Sequence, residues 1–492
     1  MTGRMLVLVA LAGVIVVTLL SLSCDGDDGK GSSGATIVVD STADSDQRDA
    51  TLTLREAIAL STGDLLKSDL TAEEADNLHA EPGAVAADVI GFEPAVFPAN
   101  QPATIVLTDT LPSLKSGKDA IDGAVSGVII DGAKKGVPCV VIESSGNIIR
   151  GLQIQHCHTG IWLKSAGDNN VVGGSKQGQG NVVSDNENVG IQIDGSANVI
   201  QGNYLGTDRA GTQAHPNGME GIWIAPNATD NLIGGSAAGE RNVISGNDLF
   251  GINIGGEGAT GNTVKGNFIG VDSSGVKALQ NVYGVVLSIG AKGNTIGGTS
   301  SGDANIISGN QSGGVLIRGP VTGDNIVIGN YIGTDGSAQT PLHNGTGIWL
   351  LDGAVGNKIG GPGDGEGNVI AQNGIVGVQV EGTATINNSI RGNSIHSNAR
   401  QGILLLEEGN ANLPAPTISG VSPLSGAACP GCTVDIYSDD NDEGKTYEGS
   451  TTADAAGAFT YDGTLVGPFV TTTATDDSAN TSAFSAPRSA QR

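Results

Sequence analysis

The sequence predicts an all-β solenoid, in which short strands are wound into stacked three-sided coils between small end pieces, and three observations carry that prediction. The first is composition. Gly supplies 78 of 492 residues, while hydrophobic residues make up 38% and aromatics only 3%. Gly does not recur every third residue and Pro numbers only 17, which excludes collagen; the regular apolar content excludes simple disorder. The second is residue type: Gly, Asn, Thr and β-branched residues dominate the regular stretches, which disfavours a helical bundle. The third is repetition. Asn181-Val-Val-Ser, Asn242-Val-Ile-Ser, Asn305-Ile-Ile-Ser and Asn368-Val-Ile-Ala follow one another at 61, 63 and 63 residues, the signature of stacked units.

At the N-terminus, Arg4 precedes an apolar run from Met5 to Leu20, then Ser21-Leu-Ser-Cys24 and a Gly/Asp/Ser stretch. A positive start, an apolar core and small residues make an export signal. Its ending resembles the lipobox of bacterial lipoproteins, with Ser21 standing where that pattern has Leu; the resemblance implies lipidation at Cys24 and a membrane anchor. An ordinary secretory signal or an uncleaved anchor is the alternative. Residues 1–23 thus read as a lipoprotein-type signal peptide and 24–35 as a flexible tether, placing the chain in the cell envelope or at the cell surface.

Residues 36–135 read as a cap with the first coils. Thr51–Leu60 is the best helix of the chain, with Leu54, Ala57, Ile58 and Ser61 on one face and Arg55 and Glu56 on the other. Leu52-Thr-Leu-Arg-Glu-Ala57 resembles the Cys-Ser-Leu-Arg-Glu-Ala segment that opens bacterial surface β-helix proteins. Leu52 and Thr53 replace its Cys and Ser. A solenoid end exposes open strand edges and an open core, and a cap covers both.

Within the repeats a Gly-apolar-x-apolar strand recurs at Gly160, Gly190, Gly221, Gly251, Gly284, Gly314, Gly347, Gly377 and Gly402, so one coil is about 30 residues. A second face opens at Asn170, Asn198, Asn231, Asn262, Asn294, Asn325, Asn357 and Asn388, spaced 28 to 33 residues apart. A third opens at Asn181, Asn203, Asn242, Asn267, Asn305, Asn330, Asn368 and Asn393. Asn tolerates bends, and its amide bonds the equivalent amide one coil away, which predicts Asn ladders at the corners. Stacked at ~4.8 Å, the strands share a core of Ile, Val and Leu. The pattern is that of a three-faced right-handed parallel β-helix over 136–412, and it resembles the right-handed β-helix repeat proteins related to pectate lyases. That fold serves lyases, hydrolases, epimerases and non-catalytic adhesins alike.

The chemistry is expected outside the coils. Between its inward-facing apolar neighbours, the x of each first-face strand points out. This column holds all three tryptophans, Trp162, Trp223 and Trp349. Trp162 and Trp223 lie two coils apart, roughly 10 Å, a spacing that suits stacking on the sugars of a polysaccharide; the alternative is half-covered rings that only brace the sheet. Asp194, Asp352, Glu381 and Glu407 close the same strands, the last three in successive coils. Stacked carboxylates there need calcium or serve as an acid/base pair for glycoside cleavage; solvated turn residues are the bland reading. The clustered Asp, His-Gly and Arg-x-Lys of polygalacturonases, and the calcium-plus-Arg motifs of pectate lyases, have no counterpart here.

Asp208, Asp272 and Asp335 in the repeated Gly-x-Asp loops read as turn formers. His156 and His158 flank Cys157 on what the pattern makes one strand face, a metal pair lacking a third ligand. Whether Cys139 and Cys157 bridge neighbouring coils is left to geometry. Residues 413–487 alternate at period two and resemble the immunoglobulin-like β-sandwich modules of bacterial surface proteins; there Cys429-Pro-Gly-Cys432 reads as a local disulfide. Ser438–Gly444 is a weak calcium loop, because position twelve from Asp439 is Ser450.

The net charge of −27, from 51 acidic against 24 basic residues, excludes nucleic acid as a partner. The leading functional expectation is a non-catalytic binding or adhesion surface for polysaccharide. The alternatives are a calcium-assisted polysaccharide lyase or glycoside hydrolase, and a structural spacer.

Overall fold

The computed structural model describes residues 34–83 and 87–490. The expected signal peptide, Cys24 and most of the tether lie outside the described residues. The chain is a right-handed parallel β-helix of three sheets, closed at its C-terminal end by a small antiparallel sandwich. The first sheet has ten strands, from Val140–Ile142 to Gln401–Leu406. The second has thirteen and the third eleven. Every pairing in the three is parallel except that of Thr36–Val39 with Leu78–His79. Inward positions of the first sheet, among them Ile161, Ile191, Ile222, Ile252, Val285, Val315, Ile348 and Val378, are fully buried, one per coil. They join Ile and Val from the other two sheets in one continuous core, whose burial drives the stacking of strands too short to fold alone.

Both predicted Asn ladders are present. Asn262 shows the unit: its Oδ1 accepts from the Asn231 backbone N–H at 3.0 Å and from Asn231 Nδ2 at 2.9 Å, and its own Nδ2 donates to Asn294 Oδ1 at 3.0 Å and the Ala228 carbonyl at 3.0 Å. The series reaches back beyond Asn147 with carboxylates. Asp119 accepts from the Asp88 N–H, and Asp88 accepts from Ala35 and Gly83. Burial, opposed by the Ser116 hydroxyl, pushes the Asp119 carboxyl up to about 6. A third ladder, unread in the sequence, runs Asn186, Asn217, Asn247, Asn281, Asn310, Asn344, Asn373, Asn398.

The helix forms as expected at Leu54–Ser61, capped by Thr53. One expectation is corrected: Glu56 is buried, because it closes a capping box on Thr53 and pairs with Arg48 from the preceding irregular segment. Arg55 meets Asp44 at 2.8 Å and the carbonyls of Asp109 and Thr110 at 2.9 Å, tying the helix to the first coils. Cys139 and Cys157, in successive coils, form a disulfide with Cα atoms 5.6 Å apart. Cys429 and Cys432 pair within one turn.

The C-terminal module packs a three-stranded against a four-stranded antiparallel sheet around Ile418, Leu424, Val434, Ile436, Phe459 and Val470. It also seals the solenoid. Ile395 exchanges backbone hydrogen bonds with Gly444 at 2.9 and 2.8 Å, and Phe484 lies on the solenoid core. Arg391 grips the fully buried Asp435 through two bonds of 2.7 Å. The third ladder ends where the N–H and Nδ2 of Asn398 donate to Glu443 at 3.1 and 3.3 Å. The predicted calcium loop is therefore a cap: its Glu443 is turned into the seam. Burial pushes that carboxyl up to about 7, against the Asn398 hydrogen bonds and with help from Asp439 and Asp442.

Candidate functional site

Outward residues of the first sheet stand in register from coil to coil. Trp162 pairs with Gln192, Gln192 with Trp223, Trp223 with Asn253, and the row continues through Val286, Leu316, Trp349 and Gln379 to Leu404. The row is not one continuous platform, because Val286 and Leu316 are buried and separate Trp349 from the other two tryptophans.

Two of the three rings are braced by their own surroundings. The Trp162 indole N–H donates to Asp194 at 2.8 Å, Gln192 Nε2 reaches the same carboxylate at 3.0 Å, and the Lys164 ammonium lies 5.0 Å over the ring. Trp349 repeats the arrangement, with Glu381 accepting from its indole at 3.1 Å and from Gln379 at 2.8 Å. This Trp, amide and acid unit occurs twice because Asp194 and Glu381 occupy the same strand position, two residues past the amide.

Trp223 differs. Its half-buried indole has no hydrogen-bond partner among the described residues. Beside it, Asn253 of the next coil donates through Nδ2 to Glu220 Oε1 at 3.2 Å, while its Oδ1 is buried without a partner. Glu220 is 5% exposed, and burial raises its pKa against the Asn253 hydrogen bond. Phe250 follows Glu220 in register and Tyr283 follows Phe250, their rings 6.1 Å apart at 63°. Aromatic faces, an amide with unspent hydrogen-bonding capacity and a carboxyl that keeps its proton to higher pH thus share one patch. Asn253 belongs to the outward column that the sequence predicts, but Glu220 was not picked out from the sequence. The signal lay in the residue preceding each strand Gly, which is Glu only at position 220 among these strands.

The predicted acid column does not assemble. Glu381 is in register with Leu406, one residue out of step with Asp352 and Glu407, and in a strand a one-residue offset reverses side-chain direction. Asp352 and Glu407 instead sit in left-handed turn conformations, φ 54° and 48°. Asp352 pairs with Arg318 at 3.1 Å, and Glu407 is exposed. Among the described residues no group of three His, Cys, Asp or Glu is placed to hold a metal ion. The histidine pair is corrected likewise: His156 lies in a left-handed turn and bonds Asp131 at 3.0 Å, while His158 faces Thr159. The loop aspartates are turn residues. Asp208 accepts from Thr212 and Gln213, and Asp335 from Ser337, Gln339 and Thr340; these bonds outweigh burial and hold Asp335 down to about 2.

No protein-family model matches the sequence, and no curated protein matches it. Among solved structures, the chain is similar to the A-module of the mannuronan C-5 epimerase AlgE6 of Azotobacter vinelandii, at 16% identity and a TM-score of 0.42, covering 64% of this chain and 81% of that one. It is also similar to the Dettilon tailspike protein, at 15% identity and 0.35, covering 79% and 71%. The pectate lyase Pel9A matches at 14% identity and 0.33, covering 74% and 79%.

Proposed function

We propose that the outer surface of the first sheet is a non-catalytic binding surface for polysaccharide, centred on Trp223. The observation that carries this reading is the half-buried Trp223 ring with its unpartnered indole N–H, set beside the half-buried rings of Phe250 and Tyr283 and with the buried Asn253 Oδ1 and Glu220. Sugar rings present apolar faces edged by hydroxyls, which such a patch matches with stacking and with a few placed polar groups. The carboxyls expected to form an acid/base pair, Asp352, Glu381 and Glu407, lie four, five and six coils from Trp223, the nearest of them roughly 19 Å along the stack.

Retention of the protein on immobilised polysaccharides, with release of new chain ends scored in parallel, tests the reading. Trp223→Ala is expected to weaken retention at least tenfold while Trp162→Ala, whose ring is already engaged, changes it less than threefold. Equal retention by wild type and Trp223→Ala removes the proposal. Release of chain ends would replace it with the lyase or hydrolase reading, with Glu220 as the acid to mutate.

Export and lipid anchoring complete the proposal, supported by the apolar run from Met5 to Leu20 and by Cys24. Cys24→Ser is expected to move the protein from the membrane to the soluble fraction; an unchanged distribution would end the anchoring part alone.

A further inference from the structure

Every second coil carries a nine-residue loop between the second and third sheets, at 173–181, 234–242, 297–305 and 360–368, each opening with Gly-Gly and closing with Asn. The loops stack into a ridge through one glycine apiece. A Cβ on Gly239 would stand 2.1 Å from the Ser175 carbonyl oxygen, and one on Gly302 2.3 Å from that of Ser236. Beside this ridge runs the outer face of the third sheet, where Gln153, Val182 and Tyr204 stand in register. Further along, Val243, Phe268 and Ile306 of the same row are buried with Val271 and Leu342 of the folded-over loops. The Tyr204 coil folds the same kind of loop over its ring, but beside Gln153 and Val182 the row opens into a groove of about 630 Å³ that Tyr204 also lines, within the size range of ligand sites.

The charge of this groove is opposite to that of the chain. Lys176, Arg209 and Arg241 line it, none of its lining residues is acidic, and among the described residues none of these three cations makes an ion pair, although the chain carries −27 overall. Arg241 is held in place by its neighbours: its guanidinium carbon lies 4.1 Å over the Phe268 ring, and its Nε donates to the Gly266 carbonyl at 3.0 Å. The Tyr204 ring packs against Gly211, whose Cβ position is 2.7 Å from the ring, and forms part of the floor. Glycines 151, 178, 202 and 239 also line the groove; a Cβ on any of them would meet neighbouring backbone within 2.4 Å, so close packing of the loops and coils sets these walls.

We propose that this groove is a second saccharide site, selective for acidic sugars, with a ring against Tyr204 and its anionic substituent among Lys176, Arg209 and Arg241. Arginine forks and lysine serve carboxylate and sulfate alike, and the aromatic floor adds the requirement for a ring. The site is on a different sheet from Trp223 and does not depend on binding there.

Calorimetric titration of the protein with a galacturonate hexamer, a sulfated gluco-oligosaccharide and neutral cellohexaose tests the proposal. Both acidic probes are expected to bind, more weakly as salt rises. Lys176→Gln with Arg209→Gln, both exposed loop positions, is expected to lower the affinity for the acidic probes at least tenfold, and Tyr204→Ala at least fivefold. Trp223→Ala should leave this site unchanged, so its failure and that of the first-sheet reading are told apart. Acidic-probe affinity within twofold of wild type in the Lys176/Arg209 variant overturns the proposal. So does equal affinity for cellohexaose. Displacement of the acidic hexamer by the same concentration of inorganic sulfate reduces the groove to a simple anion site and overturns it as well.

Discussion

Asn262→Leu is expected to destabilise the solenoid by about 3–6 kcal/mol, the largest effect we anticipate from a single substitution. The side chain is fully buried, and leucine fills a similar volume, so packing alone predicts little change. The hydrogen bonds decide the outcome. Removing Oδ1 strands the Asn231 backbone N–H and one amide hydrogen of Asn231; removing Nδ2 strands the Ala228 carbonyl. Each buried donor or acceptor left without a partner costs about 1–3 kcal/mol. Because a solenoid is stabilised coil by coil, the damage should be local, with new protease cleavage in the coils between Asn231 and Asn294 before global unfolding. Urea denaturation gives the size of the effect, and a loss below about 1 kcal/mol would mean that the ladder contributes geometry without stability.

The second large effect is expected at the seam with the C-terminal module. Arg391→Leu leaves the fully buried carboxylate of Asp435 without its two charge-assisted bonds, a loss of about 3–5 kcal/mol. The thermal transition should then split, the module separating before the solenoid melts. Arg391→Leu combined with Asp435→Leu should recover much of the loss, because no buried charge remains; a double variant as unstable as the single one contradicts this account. Glu443 gives the same seam a pH dependence. Its carboxyl holds its proton to about 7 in the folded protein and to about 4.3 when unfolded, so the folded state binds more protons between these values. Stability at the seam therefore falls as pH rises from about 4.5 to about 7 and changes no further above that. Relative to wild type, Glu443→Gln should gain a few degrees in Tm between pH 5 and pH 8, whereas a gap that does not change with pH removes Glu443 as the cause.

The repeat made the coils legible. The Gly-apolar-x-apolar strands pair in the register that their spacing implies, and the Asn residues opening the second and third faces form ladders. The third ladder was missed although its signal is present: Asn186, Asn217, Asn247 and Asn310 each precede a strand Gly by four residues, but Asn281 and Asn344 precede theirs by three, and that irregularity hid the series. The acid column failed for a related reason. Asp194 and Glu381 come four residues after the strand Gly, Asp352 and Glu407 five, and period-two geometry makes that one residue decisive. Glu56 was assigned to the exposed side of its helix because helical periodicity cannot register Arg48, which arrives from irregular chain. The groove at Tyr204 was beyond sequence reading altogether, since its lining residues range from Ala124 to Arg241 and meet only once the coils are stacked.

The seal at the end of the β-helix is made of chain that follows every coil it covers. Thr481, which receives the Asn410 amide, and Phe484, which lies on the core, come well after the last strand of the first sheet, Gln401–Leu406. Coils near the Cys139–Cys157 disulfide can stack as soon as they are synthesised, but each new coil presents three unpaired strand edges to its surroundings until the next one arrives. The final edge waits for the whole module to fold. A chain cut anywhere between Leu406 and Phe484 therefore leaves a rod whose end is a template for its own kind, so the presence of the module, and not only the sequence of the coils, determines whether the molecule stays single.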